Sequence, residues 1–139
     1  MTHLLLILLA GIAGAAQPET WYPARVVRVI DGDTIAMAVE IWPGLTQQAT
    51  VRVYHIDTPE LRASQQCEKQ LAAKATQFTR DFLADSQIWI RPQAFDTFGR
   101  ALADVQAGGK DLGQALTDAG RARPYREEVD GGWCGGDIR

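Results

Sequence analysis

The stretch ARVVRVIDGDTIAMAVEI, residues 24–41, holds two apolar, β-branched runs with Asp-Gly-Asp between them. Asp31-Gly32 is a hairpin signal, because a tight turn between twisted strands favours residues that tolerate positive φ. Residues 24–30 and 34–41 therefore read as two strands joined at Asp31-Gly32. Asp33 is left over, and it is either turn decoration or the first residue of a site.

Working outward, Pro43-Gly44 marks the next turn and residues 49–56 (ATVRVYHI) read as a third strand. Val51 and Val53 alternate there with Arg52 and Tyr54, and Pro59 biases Thr58 to an extended conformation. Leu71, Ala75, Phe78 and Phe82 then form one apolar stripe on a helical period, with Ser64 placed to cap the start and Asp85-Ser86 to end it. Residues 87–91 read as a short strand stopped by Pro92, and residues 101–106 as a fifth. A second helix carries Leu112, Ala115, Leu116 and Ala119 inward, with Asp111 as N-cap and Gly120 as its stop. Beyond Pro124 little periodicity remains. Five short strands and two helices make a small α+β domain, and five strands can close into a Greek-key barrel of the oligonucleotide/oligosaccharide-binding (OB) type.

The first residues stand apart from that core. An apolar run from Leu4 to Ile12 is followed by small residues, which is the pattern of a secretory signal. The run is well short of the ~20 residues that span a bilayer. One departure is an n-region without Lys or Arg, carrying only the amino terminus and His3. The expected organisation is a signal over residues 1–16 with cleavage near 15/16, a linker over 17–23, the domain over 24–126 and a tail over 127–139. In an oxidising compartment the isolated pair Cys67 and Cys134 is most simply a disulfide that could tie down the tail, with two free thiols as the alternative. Zinc suits them poorly, since neither has a Cys or His partner at ligand spacing. Closing so long a loop would stabilise the fold by roughly 4 kcal/mol, less any strain.

Net charge is −3 and the pI about 5.3, which does not advertise a nucleic-acid binder. Eleven of the 14 positive residues are nevertheless arginine, whose planar fork suits bidentate phosphate contacts. HIDTPELR (55–62) sets Asp57 and Glu60 at the end of a strand, and DTFGR (96–100) is a loop with Arg100 at its rim. Each is an ordinary turn or loop alone. Together three acids and two arginines cluster at strand ends, where the loops of a small barrel converge. Asp33, Asp57 and Glu60 in one small volume are unfavourable without a cation. A hard divalent ion with oxygen ligands suits them, and calcium tolerates irregular coordination better than magnesium. Arg52 and Arg100 against the same site make phosphate the economical anion. One geometric point resists: strand alternation puts Arg52 and Asp57 on opposite faces, so Asp57 must lie past the regular strand or a bulge must intervene.

VIDGDTI (29–35), VRVYHIDTPELR (51–62), DTFGRALADV (96–105) and LGQALTDAGRARPY (112–125) stand in an order and at spacings that resemble the staphylococcal nuclease (thermonuclease) family. The resemblance covers roughly residues 24–125. It implies an OB-fold barrel of five strands with two to three helices, and a calcium-dependent phosphodiesterase acting on DNA and RNA. It assigns Asp33 and Asp57 to the metal through their carboxylates and Thr58 through its backbone carbonyl. Glu60 matches the carboxylate proposed to activate water, and Arg52 and Arg100 match the arginines on the scissile phosphate. Phe98 departs from the pattern, standing where the namesake has a tyrosine. Tyr125, among Arg121, Arg123 and Arg126, is a candidate for base stacking, with Arg123 as a second substrate contact. His55 reads as structural, and Trp21, Trp42, Trp89 and Trp133 as packing residues.

The expectation is thus an exported, monomeric, calcium-dependent nuclease for single-stranded or frayed nucleic acid, free of the membrane once its signal is cleaved. Its rival is a non-catalytic OB-fold module that binds single-stranded nucleic acid or a protein partner.

Overall fold

β1 (Tyr22–Asp31), β2 (Thr34–Trp42) and β3 (Leu45–Val53) form an antiparallel meander in the computed structural model, which describes residues 20–126 and 132–134. After β4 (Ile56–Asp57) come α1 (Gln66–Leu83), β5 (Ile88–Phe95) and β6 (Ala101–Ala107). β7 (Lys110–Asp111), α2 (Leu112–Asp118) and β8 (Arg123–Pro124) complete the chain order. β1 pairs with β5 and β5 with β6, both antiparallel, and a parallel pairing of β6 with β3 closes the circuit. The result is the expected α+β architecture, a closed five-stranded barrel, with two helices among the described residues. The expected signal, the first three residues of the linker and most of the tail lie outside the described residues.

Alternation builds the interior. Ile35, Met37 and Val39 of β2, Val51 and Val53 of β3, and Ala101, Ala103, Val105 and Ala107 of β6 all point inward. α1 contributes Ala72, Ala75 and Leu83 to the buried set, with Phe78 and Phe82 half-buried against the core. The buried Thr76 and Thr79 lie outside the predicted stripe. α2 buries Leu112 and Leu116, and its N-cap is the predicted Asp111, which accepts a hydrogen bond from the Gln114 N–H at 2.7 Å.

Several expectations change in detail. The first turn is Gly32-Asp33, because Asp31 already pairs with Thr34. Gly32 is not among the residues with positive φ, so left-handed backbone is not what requires glycine there. A Cβ at Gly32 would lie 2.8 Å from the Ala75 Cβ and 3.0 Å from the Thr58 Oγ1, so close packing requires it. β3 begins at Leu45, since Gly44 (φ 81°) lets the hairpin ladder run up to the Trp42–Leu45 pair. It ends at Val53, and His55 breaks it with φ 63°. Pro92 does not stop β5: the ladder shifts register between Pro92 and Ala94 and continues to Phe95. Ser64 does not cap α1. Gln65 holds the N-cap position without a side-chain bond, and its carbonyl accepts the first N–H, that of Lys69. Trp42 and Trp89 are exposed, and are not core packing. Beyond Gly120, Arg123 and Pro124 form β8, which lies against β4 and pairs Asp57 with Arg123.

Candidate active site

Asp33 sits in the β1–β2 turn and is only 2 % exposed, held from three directions. The Thr34 hydroxyl donates to its Oδ1 at 2.9 Å, and the Thr58 backbone N–H donates to its Oδ2 at 3.1 Å. Its own N–H donates to Asp31 Oδ1 at 3.3 Å. The turn is pinned to α1 as well, where the buried Thr79 hydroxyl donates to the Gly32 carbonyl at 2.6 Å. A buried carboxylate so tied is positioned by the fold rather than decorating a turn.

The left-handed residue His55 resolves the difficulty over Arg52 and Asp57. The chain turns at Tyr54-His55 and resumes as β4, so Asp57 lies past the regular strand and comes back beside Arg52. Arg52 Nη1 donates to the carbonyls of Val53 (3.0 Å) and Ile56 (2.8 Å), which locks the guanidinium across that turn. Its Nη2 then lies 3.3 Å from both Asp33 Oδ2 and Asp57 Oδ1. The other oxygen of Asp57, Oδ2, faces Arg123 Nη2 at 3.6 Å.

Three carboxyl groups around Asp33 have raised proton affinity. Asp31 is pushed up to about 7, first by burial and then by the charge of Asp33. Asp57 is raised by burial and by Asp33, against the opposing pull of Arg52 and Arg123. Glu60, at the exposed rim, is raised by burial of its surroundings and by Asp33 and Asp57, with Arg52 opposing. Glu60 is placed by its backbone, whose N–H donates to Glu68 Oε1 in the first turn of α1 at 3.2 Å.

Arg100 is engaged elsewhere. Its Nε donates to Asp96 Oδ2 at 2.7 Å, and Asp96 Oδ1 takes the N–H groups of Phe98 and Arg100 at 2.9 Å each. These bonds lower the proton affinity of Asp96. The guanidinium lies 5.5 Å over the Phe98 ring, so the fold holds Arg100 on its own loop, not against the carboxylates. The loop leads directly into β6, whose Leu102 pairs with Arg52 in the barrel seam. Tyr125, 57 % exposed, donates its backbone N–H to the His55 carbonyl at 2.9 Å and sets its ring 5.5 Å from the Arg52 Cζ.

Among the described residues no three acidic, His or Cys side chains gather tightly enough to ligate one ion. Two carboxylates do converge. Asp33 and Asp57 reach one positive nitrogen, with the Thr58 backbone tied to the first. This all-oxygen set fits a hard divalent cation. A groove of about 850 Å3, lined by Tyr22, Gln48, Arg91 and Phe95 among others, contains none of these carboxylates. The predicted disulfide Cys67–Cys134 is present, with Cα atoms 6.2 Å apart. Sequence reasoning missed Asp96 as the holder of Arg100, although its i,i+4 spacing was visible in DTFGR. It also missed Trp133, whose ring lies 4.0 Å from the Arg123 Cζ, and no local pattern announces that contact.

The sequence pattern of the staphylococcal nuclease homologue family matches residues 50–131, which takes in Arg52, Asp57, Glu60, Arg100 and Arg123. The chain is 31% identical over 116 residues to a thermonuclease of Staphylococcus hyicus, covering 82% of this chain and 63% of that protein. It is 30% identical over 99 residues to endonuclease YncB of Bacillus subtilis (strain 168), covering 69% of this chain and 44% of that protein. The chain thus spans less than two thirds of the length of either relative. With the family pattern matching more than half of its residues, the chain belongs to the staphylococcal nuclease homologue family.

Proposed function

We propose that the protein is an exported, calcium-dependent nuclease that hydrolyses phosphodiester bonds of DNA or RNA, acting as a monomer on single-stranded or frayed substrate. The observation that carries this reading is the convergence of Asp33 and Asp57 on a single nitrogen of Arg52, with Glu60 at the rim. Asp33, Asp57 and the Thr58 carbonyl would hold the ion, which when bound supplies Lewis-acid polarisation of a phosphate oxygen.

The protein's own groups do the rest. Arg52, fixed by two backbone carbonyls, offers a positioned donor to the phosphate and takes up charge as it grows on the five-coordinate phosphorus. Arg100 reaches the same phosphate by exchanging Asp96 for a substrate oxygen. Glu60 accepts a proton from the attacking water, and its raised proton affinity brings it closer to neutral operating conditions. Tyr125 and the exposed Phe98 supply flat faces for unpaired bases beside the two arginines. Export is supported by the disulfide, which belongs to an oxidising compartment.

The test is degradation of denatured DNA by oxidised protein with calcium, with chelator, and by Glu60→Gln. Activity is expected only with the metal and is expected to fall at least about a hundredfold in the variant. Intact DNA after incubation of the oxidised protein at millimolar calcium would overturn the reading and leave a binding module in its place.

A further inference from the structure

We infer that Trp133, tethered by the Cys67–Cys134 disulfide, is a positioning residue for Arg123, and that Arg123 so held binds a backbone phosphate of the substrate next to Asp57. The inference rests on the nuclease reading for its substrate, while the positioning itself rests on geometry alone.

Arg123 is only a partly buried residue on a two-residue strand, and its 3.6 Å approach to Asp57 is too loose to order a long side chain by itself. The Trp133 ring lies 4.0 Å from its Cζ, at stacking distance. Stacking on an aromatic face restricts a guanidinium while leaving the N–H fork in its plane free to donate to an anion. β4 and β8 supply the other constraint by pairing Asp57 with Arg123 across the ladder. Arg123 thus has its backbone fixed by a strand pair and its head fixed by a ring.

Trp133 is half-buried, and its neighbour Cys134 is bonded to Cys67 in the first turn of α1. That helix is the one that packs against Gly32 through Ala75 and receives the Glu60 N–H on Glu68. The disulfide therefore fastens the aromatic ring to the same helix that sets the carboxylate turn. Loss of either the bond or the ring should free the Arg123 head and leave Asp33, Arg52 and Glu60 in place.

The experiment uses the full oxidised chain and compares Trp133→Ala, Trp133→Phe, Arg123→Ala and the double variant Cys67→Ser/Cys134→Ser on denatured DNA. Trp133→Ala is expected to raise KM about three- to tenfold with kcat within about twofold of wild type. Trp133→Phe should recover most of the loss, and the double cysteine variant should match Trp133→Ala. In the Arg123→Ala background Trp133→Ala should have no further effect. An unchanged KM overturns the inference, as does an equal loss without Arg123, which would make Trp133 a substrate contact itself. A second readout is independent of cleavage: hydrogen exchange at Arg123 Nε–H, by NMR, should speed up in Trp133→Ala and in the cysteine variant. Inactive wild-type protein would defeat the nuclease reading, and unaltered Nε–H exchange would defeat the positioning.

Discussion

Adding one methyl group at Gly32 places it 2.8 Å from the Ala75 Cβ and 3.0 Å from the Thr58 Oγ1. Because the Gly32 φ is not positive, Gly32→Ala carries no left-handed strain, and its whole cost comes from displacing neighbours. Both neighbours are rigid. Ala75 is a fully buried residue of α1, and Thr58 is buried with its N–H on Asp33. Forcing a methylene-sized group into a close-packed site costs about 1–3 kcal/mol. The Asp33–Thr58 bond should lengthen, so calcium affinity should fall several-fold as well.

Urea unfolding followed by tryptophan fluorescence reads the first effect, and calorimetric titration with calcium the second. A double-mutant cycle sharpens the test. Ala75→Gly alone should destabilise by about 1 kcal/mol, from helix propensity. Combined with Gly32→Ala it should recover part of the loss, because it removes the nearer of the two clashing atoms. If Gly32→Ala matches wild type within about 0.5 kcal/mol, or if the two substitutions simply add, close packing is not what requires this glycine.

Three further outcomes are expected. Asp31 has a folded-state proton affinity raised to about 7, so in the metal-free protein this carboxyl group binds more protons folded than unfolded between about pH 4 and pH 7. Its stabilising contribution is therefore present at low pH and lost as pH rises through 7, by about 1–2 kcal/mol after discounting for partial exposure. In chelator Tm should be lower at pH 8 than at pH 5, and a Tm that climbs across that window refutes the sign; calcium should restore it most at pH 8. Asp96→Ala removes the acceptor of three donors on the Arg100 loop, and should lower kcat/KM on denatured DNA about tenfold, with little change in Tm. Asp111→Ala deletes the α2 cap and should cost about 0.5–2 kcal/mol in urea unfolding without altering kcat.

Five barrel strands and the second helix were legible in the sequence alone. Inward alternation at Val51 and Val53, the Asp111 cap and the Gly120 stop are interactions within a few residues, so local pattern carries them. Tertiary structure decided which of those residues meet. Asp33 is held by a backbone N–H 25 residues away, and Gly32 by a hydroxyl 47 residues away, contacts that no periodicity encodes. The left-handed turn at His55 brings Asp57 round to Arg52, where strand alternation had set them apart. Barrel closure, with β6 against β3, brings the Arg100 loop to the same seam while Asp96 keeps its guanidinium on that loop. Gly32 shows the division most plainly. A glycine beside aspartate in a turn is visible in seven residues, but the atom that excludes a side chain there belongs to a helix that only folding places against it.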